Sequence, residues 1–348
     1  MSLKWSRYPP EVLPAWVAEM DFPVAPAITA AVREAVERGL FGYSTDAAKA
    51  DLAEACAQWL WDAHGWRASQ VHVLPDVLKG VELGIALHSP EGSPVVVPTP
   101  AYPPLFDVVR QCRRPVVEVP MDLGRIEGAL AAGARTVVLC NPNNPLGTVA
   151  AADDLKALSH LVDRYGARVV ADEVHAPIVY PGHRHVPYAA VSDEAAAHTV
   201  TVVSASKGWN LAGLKCAQAI VSPADEPVWA ALPTLRTWGA SSLGIIANTA
   251  AYRSGRDWLA GVVAELDVNR RYLASRLGEF LPRTPEGTYL AWLDFRGLPE
   301  DPAGFFLREA KVALSSGAPY RAPGFARLNF ATDAGVLARI TDRMLEAL

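Results

Sequence analysis

Short apolar runs rich in valine alternate with stretches of helical spacing through the middle of this chain, and this alternation limits the possible folds. The runs are SPVVVPTP, RPVVEVP, RTVVLCNP, ARVVADEV and HTVTVVSAS, which begin at residues 93, 114, 135, 167 and 198. Strands buried on both faces of a parallel sheet have this composition, because helices cover both faces. We therefore expect an α/β fold in which helices connect parallel strands.

Residues 153–166 lie between the third and fourth runs and have helical spacing. Asp153 is placed to cap the first turn, and Gly166 is placed to end the last one. The apolar side chains fall on one face, as in a helix that packs on a sheet: Leu155, Leu158, Leu161 and Val162.

The two ends of the chain are organised differently from the middle. Residues 1 to about 40 are rich in proline and then become helical in spacing, and a long helical stretch begins near residue 240. Two strand-like segments, TYLAWLDF and FARLNFA, flank a helical segment, PAGFFLREA. We expect a large α/β domain over residues 40–239 and a smaller α+β domain made of residues 1–39 and 240–348.

Composition and charge narrow the kinds of partner. The chain has 348 residues, 51% of them hydrophobic, and a net charge of −5. It has no run rich in lysine and arginine, so we expect neither nucleic acid nor a membrane surface as partner and favour a small molecule. The absence of a long apolar segment and of a signal-peptide core predicts a cytoplasmic protein.

Metal-binding side chains are scattered through the sequence. The four cysteines, Cys56, Cys112, Cys140 and Cys216, form no CxxC pair, which argues against a zinc ribbon and a disulfide framework. The nearest two histidines stand in PGHRH, a segment typical of a loop. We expect reduced thiols and no metal site.

Polar residues stand where three of the strands are expected to end. Asn144 follows the third run, Asp172 lies in the fourth, and Lys207 follows the fifth. Open α/β sheets bind their ligands at the carboxyl ends of the strands. An amide, a carboxylate and an amine are therefore expected to meet at one edge of the sheet.

Lys207, in SASKGWNLAGLK, suggests amine chemistry. The sequence has no GxxxxGK[ST], no GxGxxG after a strand and no GxSxG. A desolvated lysine can form a Schiff base with an aldehyde, and pyridoxal 5′-phosphate (PLP) needs that bond and an acid beside its ring nitrogen. Asp172 could be that acid and Asn144 could donate to the 3-oxygen of the ring. Asp172 could instead cap the next turn, and Asn144 could be a turn residue.

The sequence also offers a phosphate cradle. Its candidate groups are the hydroxyls of Ser204 and Ser206, the charge of Lys215, and the backbone amides of Val77 and Leu78, which begin the helical segment VLKGVELGIALH. Tyr102, in TPAYPPL, could stack on the cofactor ring or simply pack beside the prolines.

Three segments resemble the signature of the fold-type I PLP enzymes, the aspartate aminotransferase superfamily: SASKGWNLAGLK, NPNNPLG and ADEVH. This resemblance runs over nearly the whole chain. Five further segments resemble a narrower group, the MalY/PatB-type cystathionine β-lyases, which are a branch of carbon-sulfur lyases. These segments are LPAWVAEMDFPVAP, FGYS, YPGHRHVPYA, GTYLAWLDFR and ARLNFAT. The resemblance implies a large domain with a mainly parallel sheet, PLP as cofactor and an amino-acid substrate.

The resemblance implies a role for each matched cofactor residue. Lys207 would be the Schiff-base lysine and Asp172 the partner of the ring nitrogen. Asn144 and His175 would lie beside the 3-oxygen, and Tyr102 would stack on the ring.

The resemblance also implies residues that bind the substrate and a residue that contacts a second subunit. Arg327, in ARLNF, matches the arginine that binds the substrate carboxylate, for which its planar fork is suited. Tyr43, in FGYS, matches a tyrosine that reaches the phosphate of the neighbouring subunit, so a homodimer with shared active sites is implied. Trp16 is a candidate to line the substrate pocket.

Three positions depart from the usual pattern of the superfamily. Lys215 stands where many members have arginine, Leu146 replaces the threonine of NPxNPTG, and Asp76 occupies a place often held by glycine. Lysine makes a point contact where arginine would fork, so phosphate affinity is expected to differ.

The narrower resemblance implies a PLP-dependent β-lyase that converts cystathionine or related cysteine conjugates to a thiol, pyruvate and ammonia. An aminotransferase is the alternative, because both reactions begin when the same lysine removes the α-proton. A PLP-binding regulatory protein without turnover is a third possibility, against which the joint presence of Lys207, Asp172 and Arg327 argues.

Overall fold

Strands and helices alternate through most of the chain, of which the computed structural model describes residues 2–298 and 300–348. The strands are β1 (Leu13–Pro14), β2 (Gln70–Leu74), β3 (Val95–Thr99), β4 (Val116–Pro120), β5 (Thr136–Cys140), β6 (Arg168–Asp172), β7 (Thr199–Val203), β8 (Ala217–Val221), β9 (Leu290–Asp294), β10 (Val312–Ala313), β11 (Ser315–Ser316) and β12 (Phe325–Asn329). The helices are α1 (Leu3–Ser6), α2 (Pro26–Glu37), α3 (Asp46–His64), α4 (Val77–His88), α5 (Pro103–Gln111), α6 (Leu123–Ala131), α7 (Ala152–Arg164), α8 (Asp193–His198), α9 (Ala205–Gly208), α10 (Glu226–Ala230), α11 (Thr234–Thr237), α12 (Ser242–Ser254), α13 (Arg256–Leu277), α14 (Pro302–Glu309) and α15 (Ala334–Ala347).

Seven strands form the central sheet, in the order β2-β8-β7-β6-β5-β3-β4. β8 is antiparallel to both of its neighbours, and the other strands run in one direction. The five predicted runs are β3 to β7, so the α/β class and the mainly parallel sheet are confirmed. The expectation that all five are fully buried is wrong for β4, because it is the edge strand and its Glu118 and Pro120 are exposed.

The strands β2 and β8 were not predicted from the sequence. QVHVL in β2 alternates between polar and apolar residues, and AQAIV in β8 contains two alanines and a glutamine, so neither has the valine-rich composition of the other strands. Gln218 of β8 is nevertheless buried, because its side-chain oxygen accepts a hydrogen bond from the Tyr252 hydroxyl over 2.7 Å.

Helix α7 corresponds to the predicted segment, with a different start. The predicted cap at Asp153 is wrong, because Ala151 is the N-cap residue and Asp153 lies in the first turn, where its charge favours the helix dipole. The predicted apolar face is buried. Gly166 follows the helix with φ at 55°, as predicted for a residue that ends it.

Helix α4 packs closely on the central sheet because two glycines face β6 and β7. A Cβ atom at Gly80 would lie 2.6 Å from Val202 Cγ1, and one at Gly84 would lie 3.0 Å from Val170 Cγ2. Larger side chains at these positions would force the helix away from the sheet. The close packing brings the first turn of α4 to the carboxyl edge of the parallel strands.

The C-terminal part builds a separate antiparallel sheet, β11-β12-β9, beside α13, α14 and α15, which confirms its predicted α+β character. The division into residues 40–239 and residues 1–39 with 240–348 stays a proposal. Helices α2 and α12 share a hydrophobic cluster with α3 and β7, which favours their assignment to the large domain. Among the described residues, none of the helices combines the length and the apolar character that a membrane span requires.

Candidate active site

A cavity of about 380 Å³ opens at the carboxyl edge of the central sheet, where adjacent parallel strands deliver side chains to it. Asp172 is the last residue of β6, Lys207 lies in α9 just after β7, Asn144 follows β5, and Tyr102 follows β3. Twelve predicted site residues line the cavity: Trp16, Val77, Leu78, Tyr102, Asn144, Asp172, His175, Ser204, Ser206, Lys207, Lys215 and Arg327. The structure thus brings together residues that the sequence separates by up to about 300 positions.

The amine of Lys207 is held by the N-terminal segment. Its Nζ atom donates to the carbonyl oxygen of Ala18 over 3.0 Å. Burial, reinforced by the positive charge of Arg327, lowers the pKa of Lys207 to about 8. A fraction of roughly a tenth is then neutral at pH 7, whereas an ordinary lysine is almost entirely protonated. Lys207 is therefore prepared to act as a nucleophile and as a base.

Asp172 caps the turn that follows it and also lies in the cavity, while its predicted contact with the cofactor ring stays a prediction. One carboxylate oxygen, Oδ1, accepts a hydrogen bond from the backbone amide of Val174 over 3.2 Å, so it does cap the following turn. The side chain also lines the cavity. Burial raises its pKa to about 6, although Lys207 opposes this rise. A cationic group bound beside it would restore the ordinary ionised carboxylate.

Arg327 is buried and fixed by contacts from both sides of the cavity. Its Nη1 atom donates to Asn144 Oδ1 over 2.8 Å, and its Nη2 atom donates to the carbonyl oxygen of Trp16 over 2.9 Å. The guanidinium carbon also lies 5.2 Å from the centre of the Tyr320 ring. Because the Asn144 oxygen faces Arg327, the amide nitrogen of Asn144 is available to donate to a ligand.

Two nitrogen atoms of cavity-lining residues are buried without a hydrogen-bond partner among the described residues, His175 Nδ1 and Arg327 Nε. Burial lowers the pKa of His175 well below its ordinary value, so the ring is neutral. Buried polar atoms are rarely left unpaired in folded proteins. These unpaired nitrogen atoms, together with the Lys207 amine and the Asp172 carboxylate, suit a polar ligand such as PLP.

The proposed phosphate end of the cavity lies at the first turn of α4. Val77 and Leu78 begin the helix, and Asp76 is its N-cap residue. The Lys215 Nζ atom lies 3.3 Å from Asp76 Oδ2. Ser206 also lines the cavity. The amides of a helix start and a lysine charge suit a phosphate dianion.

Ser204 has a different local environment from the one expected of a phosphate ligand. Its hydroxyl donates to the Cys216 carbonyl over 2.6 Å and accepts from the Ser206 amide over 3.0 Å. It thereby caps α9, the helix that carries Lys207. The contact with the phosphate predicted for Ser204 stays a prediction.

Tyr43 lies outside the cavity. It is 84% exposed and packs at 5.5 Å, between ring centres, against Trp238, which is itself 54% exposed. These two residues line a separate surface hollow of about 1240 Å³ together with Phe41. Exposed aromatic clusters of this kind are typical of interfaces between proteins. The predicted contact of Tyr43 with a neighbouring subunit stays a prediction.

Two residues that border the site, Tyr289 and Ser315, were not predicted from the sequence. Tyr289 donates its hydroxyl to the carbonyl of Ala18 over 3.0 Å, and Ser315 donates to the carbonyl of Trp16 over 2.6 Å. Tyr289 stands in GTYLAWLDFR, one of the segments that resemble the cystathionine β-lyases, and this resemblance is the signal that could have identified it. Ser315 stands in an ordinary polar segment that gives no such signal.

Comparison with known proteins identifies the family. The profile of the family Aminotransferase class I and II matches residues 17–344. The chain is 40% identical to the cystathionine β-lyase of Corynebacterium glutamicum, with 95% of this chain and 92% of that protein covered. It is 32% identical to the cystathionine β-lyase PatB of Bacillus subtilis, with 94% and 92% covered.

Solved structures agree with the sequence comparison. A candidate PLP-dependent β-cystathionase from Corynebacterium diphtheriae has a TM-score of 0.96 and 42% identity, with 99% of this chain and 95% of that chain covered. The predicted fold-type I architecture is confirmed by this likeness. The chain belongs to the aminotransferase class I and II family, and within it to the branch of the cystathionine β-lyases.

Proposed function

We propose that this protein is a PLP-dependent carbon-sulfur β-lyase that converts cystathionine or a related cysteine conjugate, with one water, to a thiol, pyruvate and ammonia. The observation that carries the proposal is that Lys207, Asp172 and Arg327 line one cavity. The relatives named cystathionine β-lyase, at 40% and 32% identity over nearly the whole chain, support this reaction.

The cavity residues divide among the parts of the cofactor. Lys207 would hold the aldehyde carbon, Asp172 the ring nitrogen, and Lys215 with the first turn of α4 the phosphate. When bound, PLP supplies an electron sink for the carbanion next to the substrate amine. His175 Nδ1, which is buried and unpaired among the described residues, would gain a hydrogen-bond partner.

Arg327 would orient the substrate. Its guanidinium presents parallel N–H groups that match a carboxylate. The contacts with Asn144 and with the Trp16 carbonyl hold this fork in one orientation before the substrate arrives. The position of the α-carboxylate fixes the α-carbon relative to the Lys207 amine, so the proton to be removed lies within reach of its base.

Lys207 would move the α-proton. Because its pKa is about 8 in the free chain, the amine can accept a proton near neutral pH and release it again. The carbonyl of Ala18 gives its Nζ atom a fixed resting position. Once the proton is on Lys207, a thiolate on the β-carbon can leave. Asp172, ionised beside the ring nitrogen, would keep a proton at that atom.

A homodimer with shared active sites is the proposed assembly. Its support is the exposed cluster of Phe41, Tyr43 and Trp238, which would be buried against a second copy. A cytoplasmic location is likewise proposed. The four cysteines are free thiols, as is usual in reducing compartments.

Product analysis with purified, PLP-loaded protein tests the proposed reaction. Incubation with cystathionine should release pyruvate and a free thiol in equal amounts, and Lys207→Ala should abolish both. Amino transfer from alanine to 2-oxoglutarate, without pyruvate from cystathionine, would instead establish the aminotransferase. Binding of the cofactor without either reaction would leave the regulatory protein as the remaining interpretation.

A further inference from the structure

Asp76 places a carboxylate beside the groups proposed to bind the cofactor phosphate. Its Oδ1 atom accepts from the backbone amide of Lys79 over 2.9 Å, and its Oδ2 atom lies 3.3 Å from Lys215 Nζ. The Asp76 side chain is 39% exposed and that of Lys215 is 61% exposed. The pair therefore lies at the solvent-accessible rim of the cavity, which both residues line.

The carboxylate occupies both kinds of donor that a phosphate would use. An amide of the first turn of α4 is bound by one oxygen, and the ammonium of Lys215 is approached by the other. A carboxylate and a lysine side by side have no net charge, so this end of the cavity attracts a dianion less than a lysine alone would. Phosphate oxygens would have to share or displace these contacts.

Asp76 and the phosphate would compete for the same donors, and the other groups proposed to bind the phosphate add no positive charge. The Ser204 hydroxyl is already committed to the Cys216 carbonyl. The other groups proposed to bind the phosphate, among the described residues, are the amides of Val77 and Leu78 and the hydroxyl of Ser206, all of which line the cavity. All three are neutral, so Lys215 supplies the positive charge among the groups proposed to hold the phosphate.

We propose that Asp76 lowers the affinity of this protein for the phosphate of its cofactor, by neutralising Lys215 and by repelling the dianion. The inference rests on the proposed function, since it takes PLP as the ligand. It predicts that the affinity for the phosphorylated cofactor is limited by one side chain at the rim. The affinity for the unphosphorylated form should not depend on that side chain.

Equilibrium binding to cofactor-free protein tests the proposal without a turnover assay. Asp76→Asn keeps an oxygen that can cap α4 but removes the charge. It should bind PLP roughly five- to tenfold more tightly, as expected for removal of one exposed like charge a few ångströms away. Pyridoxal, which lacks the phosphate, should bind with less than a twofold change. Asp76→Gly should behave similarly, which excludes an effect of the new Asn amide.

A control variant and a double-mutant cycle test whether the change in PLP affinity arises from the contact between Asp76 and Lys215. Glu82→Gln removes an equal charge from the same helix, where Glu82 pairs with Lys79 over 2.6 Å, and should leave PLP affinity unchanged. Lys215→Met should weaken PLP binding. In the Lys215→Met background the gain from Asp76→Asn should shrink, because the competition for that lysine no longer exists.

Each result decides the question. PLP affinity that is unchanged or weaker in Asp76→Asn and Asp76→Gly, with unchanged melting temperatures, would refute the role of Asp76. An equal gain for pyridoxal, or the same gain in Glu82→Gln, would refute the phosphate as its target. If the wild type binds PLP and these variants do not differ, only this inference fails. If the wild type binds neither form of the cofactor, the proposed function fails with it.

Discussion

Lys207 and Tyr289 donate hydrogen bonds to the same atom, the carbonyl oxygen of Ala18, each over 3.0 Å. Lys207 belongs to the edge of the central sheet, and Tyr289 immediately precedes β9 of the small sheet. The Tyr289 side chain is buried, so its hydroxyl requires a partner within the protein. Three distant segments thus meet at the Lys207 amine, and the tyrosine helps to fix the carbonyl to which the lysine donates.

Tyr289→Phe should lower kcat while leaving KM and PLP affinity nearly unchanged. Loss of one hydrogen bond worth about 1 kcal/mol corresponds to a decrease of roughly fivefold in kcat. Tyr252→Phe is a matched control, because that buried tyrosine donates to Gln218 over 2.7 Å and lies outside the cavity. Equal kcat in the wild type and Tyr289→Phe, or an equal loss in the control, would contradict the positioning role.

The rate at which cofactor-free protein captures PLP should depend on pH through the neutral amine of Lys207. Since its pKa is lowered to about 8 by burial and by Arg327, the rate should rise with pH and level off above about pH 8. Below that point it should increase about tenfold per pH unit. Arg327→Gln removes a charge that lowers the pKa, so its profile should level off at a higher pH. A profile that is already level at pH 6 would be incompatible with this mechanism.

Arg327→Lys should lower kcat/KM for cystathionine by roughly a hundredfold, because lysine cannot form the bidentate contact and loses the orientation given by Asn144. An analogue without the α-carboxylate should react equally slowly with both proteins. Arg321→Lys changes an exposed arginine that pairs with Glu118 over 2.9 Å and serves as the control. A loss below threefold in Arg327→Lys would argue against carboxylate binding at this residue.

Mixing two impaired variants should restore activity if the subunits share active sites. Lys207→Ala disables the subunit that carries it, and Tyr43→Ala impairs the site of the neighbour. A hybrid dimer of the two has one site with both residues intact, so an equal mixture should regain about a quarter of the wild-type activity by random pairing. Recovery should require subunit exchange, which size-exclusion chromatography of tagged variants can follow. No recovery after proven exchange would show that Tyr43 acts within its own subunit.

The sequence was informative where local pattern and the fold agree. Valine-rich runs identified β3 to β7, and because parallel strands end at one edge, the polar residues after them could be placed together. Lys207, Asp172 and Asn144 needed only this rule. β8 escaped detection because its buried glutamine is compensated by Tyr252, a contact over 34 positions.

Other features depend on contacts that no local pattern encodes. The Ala18 carbonyl meets Lys207 across 189 positions and Tyr289 across 271 positions. The pairing of Asp76 with Lys215 spans 139 positions and depends on how closely α4 packs against the sheet. The resemblance located both charged residues as departures from the usual pattern, but their mutual contact required the structure.

The most direct test of the account is to identify the lysine that holds the cofactor. Protein loaded with PLP would be reduced with borohydride, digested and analysed by mass spectrometry, with the peptide that contains both Lys207 and Lys215 fragmented to separate them. The account predicts one reduced cofactor per chain, attached to Lys207, and none in Lys207→Ala. Attachment to Lys215, or a PLP-loaded protein without any covalent adduct, would contradict it.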